Sequence, residues 1–258
     1  MAQREDQRPE TVPFAWASLT DVGLHRTENQ DAVQADPEIG LFLVSDGMGG
    51  AQAGALAARA VSEVLPAMLR ARLSTPRVRR PRAIRYWLRR EVMRLSRQLW
   101  QESAERADLK GMGATLALAL VGRDRVHVAH MGDSRIYLFR GGHLERQTED
   151  HSVVGILLRG GKITEVEARG HPARGQLSRH VGMEAAVAPD VASWELQPHD
   201  RLLLCSDGLH GMIEDDGIEE MLSREQPPDV ICRLLVDAAK QAGGADNVSV
   251  VVVDWVGE

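Results

Sequence analysis

LFLVSDGMGGAQAG, residues 41–54, runs from an apolar strand into glycines and then into the small-residue run ALAARAV, which has helical character. Strand, glycines and helix start are what a dinucleotide fold uses to bring pyrophosphate onto backbone N–H groups. Two residues speak against that use here. The fingerprint wants a third glycine where Gln52 stands, and Asp46 places a carboxylate where the strand hands over to the loop. A carboxylate repels phosphate unless a cation lies between them.

The same ending recurs along the chain. RLLLCSDGLHG (201–211) delivers Asp207, VHVAHMGDSR (126–135) delivers Asp133, and GGADNVSVVVVDWV (243–256) sets Asp246 just before a strand. ASLTDVGLHRTENQD (17–31) adds Asp21 and Asp31 around Arg26. A lone Asp-Gly is an ordinary turn dipeptide, but these acids sit at the ends of strands apolar enough to lie in a core. If they converge, each close pair costs about 4 kcal/mol at 4 Å with an effective dielectric near 20. Divalent cations remove that cost, and carboxylates with backbone carbonyls suit hard ions such as Mg2+ or Mn2+ better than zinc. Gly47 and Gly208 would let the backbone approach such an ion.

Composition narrows the setting. With 258 residues, 43% hydrophobic and 26% charged, the chain has the make-up of an ordinary globular protein. A net charge of −6 leaves neither a nucleic-acid nor a membrane-surface footprint at whole-chain level. The basic residues are nearly all arginine, dense from Arg70 through Arg77, Arg79, Arg80 and Arg82 to Arg97; the plain reading is a solvated loop and helix face, and a docking patch is the alternative. Cys205 and Cys232 form no disulfide framework and no C-x-x-C pair, which favours a reducing compartment. The polar start MAQREDQRPETVP has no apolar leader core, and no run reaches membrane-span length. The expectation is a cytoplasmic protein with a flexible leader over 1–12 and one domain over 13–258.

Period-two apolar runs predict strands at 14–20, 31–36, 41–45, 114–121, 125–131, 135–140, 144–147, 191–196, 201–205 and 247–255. Gly141 and Gly142 join two of them as a hairpin. Helices are predicted at 51–70, 83–106, 214–224 and 228–241, and 151–189 reads as an irregular excursion.

DVGLHRTENQD, LFLVSDGMGG, GMGATLALAL, VAHMGDSRIYLFR, RLLLCSDGLHGM and GGADNVSVVVVDWV stand in the order and at roughly the spacing of the metal-dependent protein phosphatases of the PPM (2C) type, in their compact bacterial form. The resemblance covers roughly residues 14–256. It implies an α+β fold, a four-layer αββα sandwich of two antiparallel sheets flanked by helix pairs, with a binuclear centre at one end and 151–189 as a flap beside it. Carried over by motif, Asp46 resembles the carboxylate bridging two metals and the Gly47 carbonyl a ligand of the second. Asp207 and Asp246 match positions holding the first, and Asp133 with Asp207 resembles the pair that binds a third, looser ion. Arg26 matches the arginine that grips the substrate phosphate, while Asn29 and Asp31 match residues that support the metals from behind. Two departures stand out: Gln30 replaces a frequent Glu, and Met48 stands where many eukaryotic members have a histidine as proton donor.

The reaction so implied is hydrolysis of phosphoserine or phosphothreonine on proteins by a metal-bridged water, with Mn2+ or Mg2+ as cofactor. Partners would be phosphorylated proteins, the products of a cognate Ser/Thr kinase, met by a monomer with no nucleic acid or membrane involved. The chain has no G-x-S-x-G, H-E-x-x-H or Walker loop, the marks of other hydrolase and nucleotide-binding classes. A non-catalytic module that binds phosphorylated partners is the alternative. His130, alternating with Val128 on a strand, reads as structural; His151 and His171 flank the excursion, where they could meet substrate.

Overall fold

The most apolar runs of the sequence become strands buried on both faces. The computed structural model describes residues 14–74, 80–184 and 187–257. In chain order its elements are β1 (Phe14–Asp21), β2 (Asp31–Asp36), β3 (Leu41–Met48), α1 (Ala51–Leu73), α2 (Pro81–Glu105), β4 (Gly113–Ala114), β5 (Leu116–Val121), β6 (Arg125–Met131), β7 (Arg135–Arg140), β8 (His143–Arg146), α3 (Val153–Arg159), α4 (Glu165–Arg169), β9 (Asp190–Glu195), β10 (Arg201–Cys205), α5 (Asp207–His210), α6 (Asp215–Leu222), α7 (Pro228–Gln241) and β11 (Val248–Trp255).

All strand pairing is antiparallel. One sheet has the order β1-β11-β10-β7-β8, the other β2-β3-β5-β6-β9, with β4 paired to the end of β3. Because successive side chains point to opposite faces, one strand feeds two cores. On β3, Leu41 and Leu43 pack with Val61 and Leu65 of α1 and with Leu88 and Val92 of α2. Phe42 and Val44 pack between the sheets against Ile136, Leu204 and Val251. On β11, Val250 and Val252 turn to Ile231 and Leu235 of α7. The result is four layers, helices on sheet on sheet on helices. Each fully buried Leu, Val or Phe contributes about 1.5–3 kcal/mol, so the double-faced strands carry much of the stability.

The expected α+β sandwich is therefore the observed one, with local departures. β3 does not stop at residue 45: Gly47 pairs with Ala114 and Met48 with Gly113, so Asp46 lies within the strand and not at its handover. The run 114–121 is interrupted at Thr115, whose N–H donates to the Asp46 carbonyl at 2.8 Å and whose Oγ1 accepts from the Asp46 N–H at 2.8 Å. Segment 151–189 holds two short helices, α3 capped by Ser152 and α4 by a Thr164–Glu167 capping box, a sequence signature visible in TEVE. Gly141 and Gly142, at φ 58° and 88°, form the expected hairpin turn. The leader 1–12, Pro76, Arg77 and Arg79 lie outside the described residues.

Candidate metal centre

Strand geometry delivers the acids to one end of the sandwich. Asp46 on β3 sits opposite Asp31 on β2, Asp207 opens α5 directly after β10, Asp133 follows β6, and Asp246 precedes β11. Arg26, Asp46, Gly47, Asp133, Asp207 and Asp246 all line one cavity of about 560 Å³. Asp31 stands behind it, its Oδ2 accepting from Ser206 Oγ at 2.7 Å.

So many carboxylates in so little solvent change one another's titration. Burial, and then the charges of Asp31, Asp207, Asp133 and Asp246, hold the Asp46 carboxyl well above its ordinary range. Asp133 and Asp207 are raised by burial first and by a neighbouring Asp second. Asp31 is raised to about 7, again chiefly by burial. Against these stand Arg26, whose Nη2 donates to Asp246 Oδ2 at 2.8 Å, and Arg174, which acts on Asp207 from the flap. Asp207 Oδ1 is buried without a hydrogen-bond partner. An unpartnered buried oxygen among mutually repelling carboxylates fits divalent cations with oxygen ligands.

The surrounding residues fix this arrangement. Asn247 Oδ1 accepts the Gln30 N–H at 2.8 Å, and its Nδ2 donates to the carbonyls of Val22 and Glu28, each at 3.0 Å, so one side chain clamps the loop bearing Arg26. Asn29 donates to Thr20 Oγ1 at 2.7 Å and accepts the Asp31 N–H at 3.1 Å. A Cβ on Gly47 would run into the Gly54 carbonyl, and one on Gly208 into the Asn247 carbonyl; both glycines are required by close backbone approach. Sequence reading passed over Asn247, Thr115 and Ser206. The only signal was polar residues beside the acidic motifs, which names no partner.

A second cavity of about 690 Å³ shares Asp133 and Asp207 and extends under the flap. Arg174 Nη2 donates to the Gly211 carbonyl at 3.1 Å, and Arg169 pairs with Glu214, so the flap is tied across this cavity to the α5–α6 loop. Of the histidines, His151 is placed differently from expectation. His151 is 1% exposed, accepts the Gly132 N–H on Nδ1 at 3.2 Å and meets Asp190 Oδ2 through Nε2 at 2.9 Å. It ties the flap root to the loop bearing Asp133 and does not reach substrate. His130, His151 and Asp190 could converge on one cation. With Nδ1 of His151 already accepting, however, ligation through Nε2 would need an anionic ring. His171 caps its own turn, accepting the Ala173 N–H at 3.1 Å, and His130 is 2% exposed, as a structural histidine should be. His210, held neutral by desolvation with its pKa pushed down to about 3, donates from Nε2 to the Asp133 carbonyl at 2.9 Å.

Residues 25–247 match the family model described as Protein phosphatase 2C. The chain belongs to that family. It is 34% identical over 238 residues to the serine/threonine phosphatase stp of Listeria welshimeri, a match covering 91% of this chain and 93% of the relative. The solved serine/threonine phosphatase of S. agalactiae superposes with a TM-score of 0.84 at 33% identity, covering 95% of this chain and 100% of that one. The catalytic domain of the phosphatase PstP, solved in complex with two manganese ions, gives a TM-score of 0.80 at 33% identity, covering 94% and 98%. The protein is thus a metal-dependent protein serine/threonine phosphatase of the 2C type, and the catalytic reading stands over the binding-only one.

Proposed function

We propose that Asp46, the Gly47 carbonyl, Asp207 and Asp246 hold two divalent ions, Mn2+ or Mg2+, and that Asp133 with Asp207 holds a third. The observation that carries this is the convergence of Asp46, Asp133, Asp207 and Asp246 on one cavity with Asp207 Oδ1 unpartnered. When bound, such ions lower the pKa of water and offset charge on a phosphoryl group.

The chain's own residues do the rest. Arg26, with its side chain 49% exposed at the cavity rim, offers the planar guanidinium that takes two phosphate oxygens. Its present bond to Asp246 keeps the fork aimed inward until phosphate arrives. Asn247 and Asn29 hold the loop on which Arg26 rides, and Asp31 and Ser206 back the acids from the core side. Met48 lines the cavity but carries no transferable proton, so this position gives the departing oxygen no acid assistance. Substrates are phosphorylated proteins made by a cognate Ser/Thr kinase, and the enzyme works as a cytoplasmic monomer with one catalytic domain over 13–258 behind a leader at 1–12. Support for a reducing compartment comes from Cys205 and Cys232, both free and buried.

Hydrolysis of p-nitrophenyl phosphate with added manganese, with and without chelator, tests this reading. Chelator should abolish turnover, and Asp46→Asn or Asp207→Asn should remove nearly all of it while the protein stays folded. Full turnover in excess chelator would refute the metal assignment.

A further inference from the structure

Between Arg80 and Arg97 seven arginines face a single glutamate, Glu91. Glu91 is buried, its carboxylate taken by Arg72 Nε at 2.9 Å. The segment therefore carries +6 in a chain of net −6, which leaves −12 on the rest of the molecule. All seven arginines are exposed. No side-chain hydrogen bond or ion pair ties Arg80, Arg82, Arg85, Arg89 or Arg97 to another described residue. Arg90 donates to the Tyr86 hydroxyl at 2.8 Å, and Arg72 lies over the Trp87 ring.

The outward side of α2, where Arg82, Arg89, Arg90 and Arg97 lie within about 100° of one another, has a second feature. Leu88, Val92, Leu95 and Leu99 turn α2 onto the sheet. At 3.6 residues per turn, Tyr86, Met93 and Trp100 fall in one line on the opposite side. Arg82 and Arg89 flank that line on one edge, Arg90 and Arg97 on the other. Tyr86 is 54% exposed, and on the adjoining helix α1 Leu56 and Val64 are 38% and 41% exposed. A solvated helix face has no use for an apolar seam between rows of guanidinium groups, of which Arg82, Arg89 and Arg97 bond to no other described residue and Arg90 bonds only to the Tyr86 hydroxyl.

We propose that the outer face of α2 is a peripheral docking surface for an anionic lipid bilayer. Guanidinium groups spread over about 22 Å of helix meet a plane of phosphodiesters, and Tyr86 and Trp100 are the residue types that settle at the headgroup level. A nucleic acid would use the charge but not the seam, and an acidic peptide would favour a groove over a convex helix. The −12 on the remaining surface orients the molecule, because the same membrane field repels it. Docking leaves the catalytic cleft open. The cavity lies where β3 and β6 end, whereas the arginine-rich start of α2 lies beside the start of β6, where the Arg85 charge acts on His127. Whole-chain charge conceals this footprint because the two signs largely cancel.

The test is co-sedimentation of the intact protein with phosphatidylcholine vesicles, with and without phosphatidylglycerol, across a salt series. Binding should require phosphatidylglycerol and fade toward about 0.5 M salt, where charges are screened within a few ångströms. Each arginine removed should lower the partition coefficient about five-fold, equivalent to about 1 kcal/mol, so Arg82→Gln/Arg89→Gln/Arg90→Gln/Arg97→Gln should bind several hundred-fold more weakly. Its turnover of p-nitrophenyl phosphate should match the unmodified enzyme, which also shows that it folds. Absence of binding by the unmodified protein at low salt would overturn the proposal, as would equal binding by the folded quadruple variant. Tighter binding to duplex DNA or polyglutamate than to the vesicles would overturn it too.

Discussion

Replacing Asp31 by Asn should make the metal-free enzyme more stable at alkaline pH. Asp31 is a buried carboxyl whose folded pKa is raised from 3.8 to about 7, first by burial and then by Asp207 and Asp246, with Ser206 and Ser249 opposing the rise by hydrogen bonding. A folded pKa above the unfolded one means that the native state holds the proton more tightly. Stability from this group is then complete below pH 3.8 and is lost as pH climbs through about 7. The interval corresponds to about 4 kcal/mol at pH 8, an upper bound for the gain because the Asn amide must also be buried. For a chain of this size that is a rise in Tm on the order of 10 °C. The assay is thermal unfolding of chelator-stripped protein from pH 4.5 to 8. Asp31→Asn should flatten the downward slope of Tm with pH and exceed the parent most at the alkaline end. Manganese should reverse the parent's slope, since cations and protons compete for the same oxygens. An unchanged or lower Tm for Asp31→Asn at pH 8 in chelator would refute the reasoning.

Arg26→Ala should raise KM for phosphopeptides and lower kcat, with Arg26→Lys restoring only part of the loss, because an ammonium cannot make the two-point contact; unchanged kinetics would remove Arg26 from phosphate binding. Breaking the flap tie with Arg169→Ala or Glu214→Ala should change kcat/KM on phosphopeptides by several-fold more than on p-nitrophenyl phosphate, which makes few remote contacts; equal losses would indicate a folding defect. Under single-turnover conditions, log rate should fall steeply with leaving-group pKa across substituted aryl phosphates, since Met48 gives no proton; a flat dependence would show that another donor operates. Met48→His should flatten the slope and add a titration near neutral pH.

Much of the fold was legible because its signals are local. Alternation and turn chemistry placed β2, β6, β7 and β10 at their observed limits and the hairpin at Gly141–Gly142. The misses have two causes. β3 runs on to Met48 because β4, far along the chain, supplies partners for Gly47 and Met48, and no window around residue 45 contains that information. α3 and α4 are too short for periodicity to register, although the Thr164–Glu167 box was present to be read. The acids of the candidate site were visible through their repeated strand-end setting. Asn247 was not, because an Asn beside an Asp has meaning only once the Gln30 N–H and the Val22 and Glu28 carbonyls close around it.

By itself, then, the sequence determined most of the strand positions and the acids that need cations if they meet, while the layered sandwich was implied only by the family resemblance of its motifs. Tertiary structure decided how the acids meet. Asp46, Asp133, Asp207 and Asp246 share a cavity while Asp31 stands behind it, and His151 is locked in a buried tie away from substrate. Packing of Leu88, Val92, Leu95 and Leu99 onto the sheet leaves Arg82, Arg89, Arg90 and Arg97 exposed with Tyr86. Backbone preference and hydrophobic period act over a few neighbours and are written locally. Convergence of charges depends on strand order and register, which emerge only when distant segments pack.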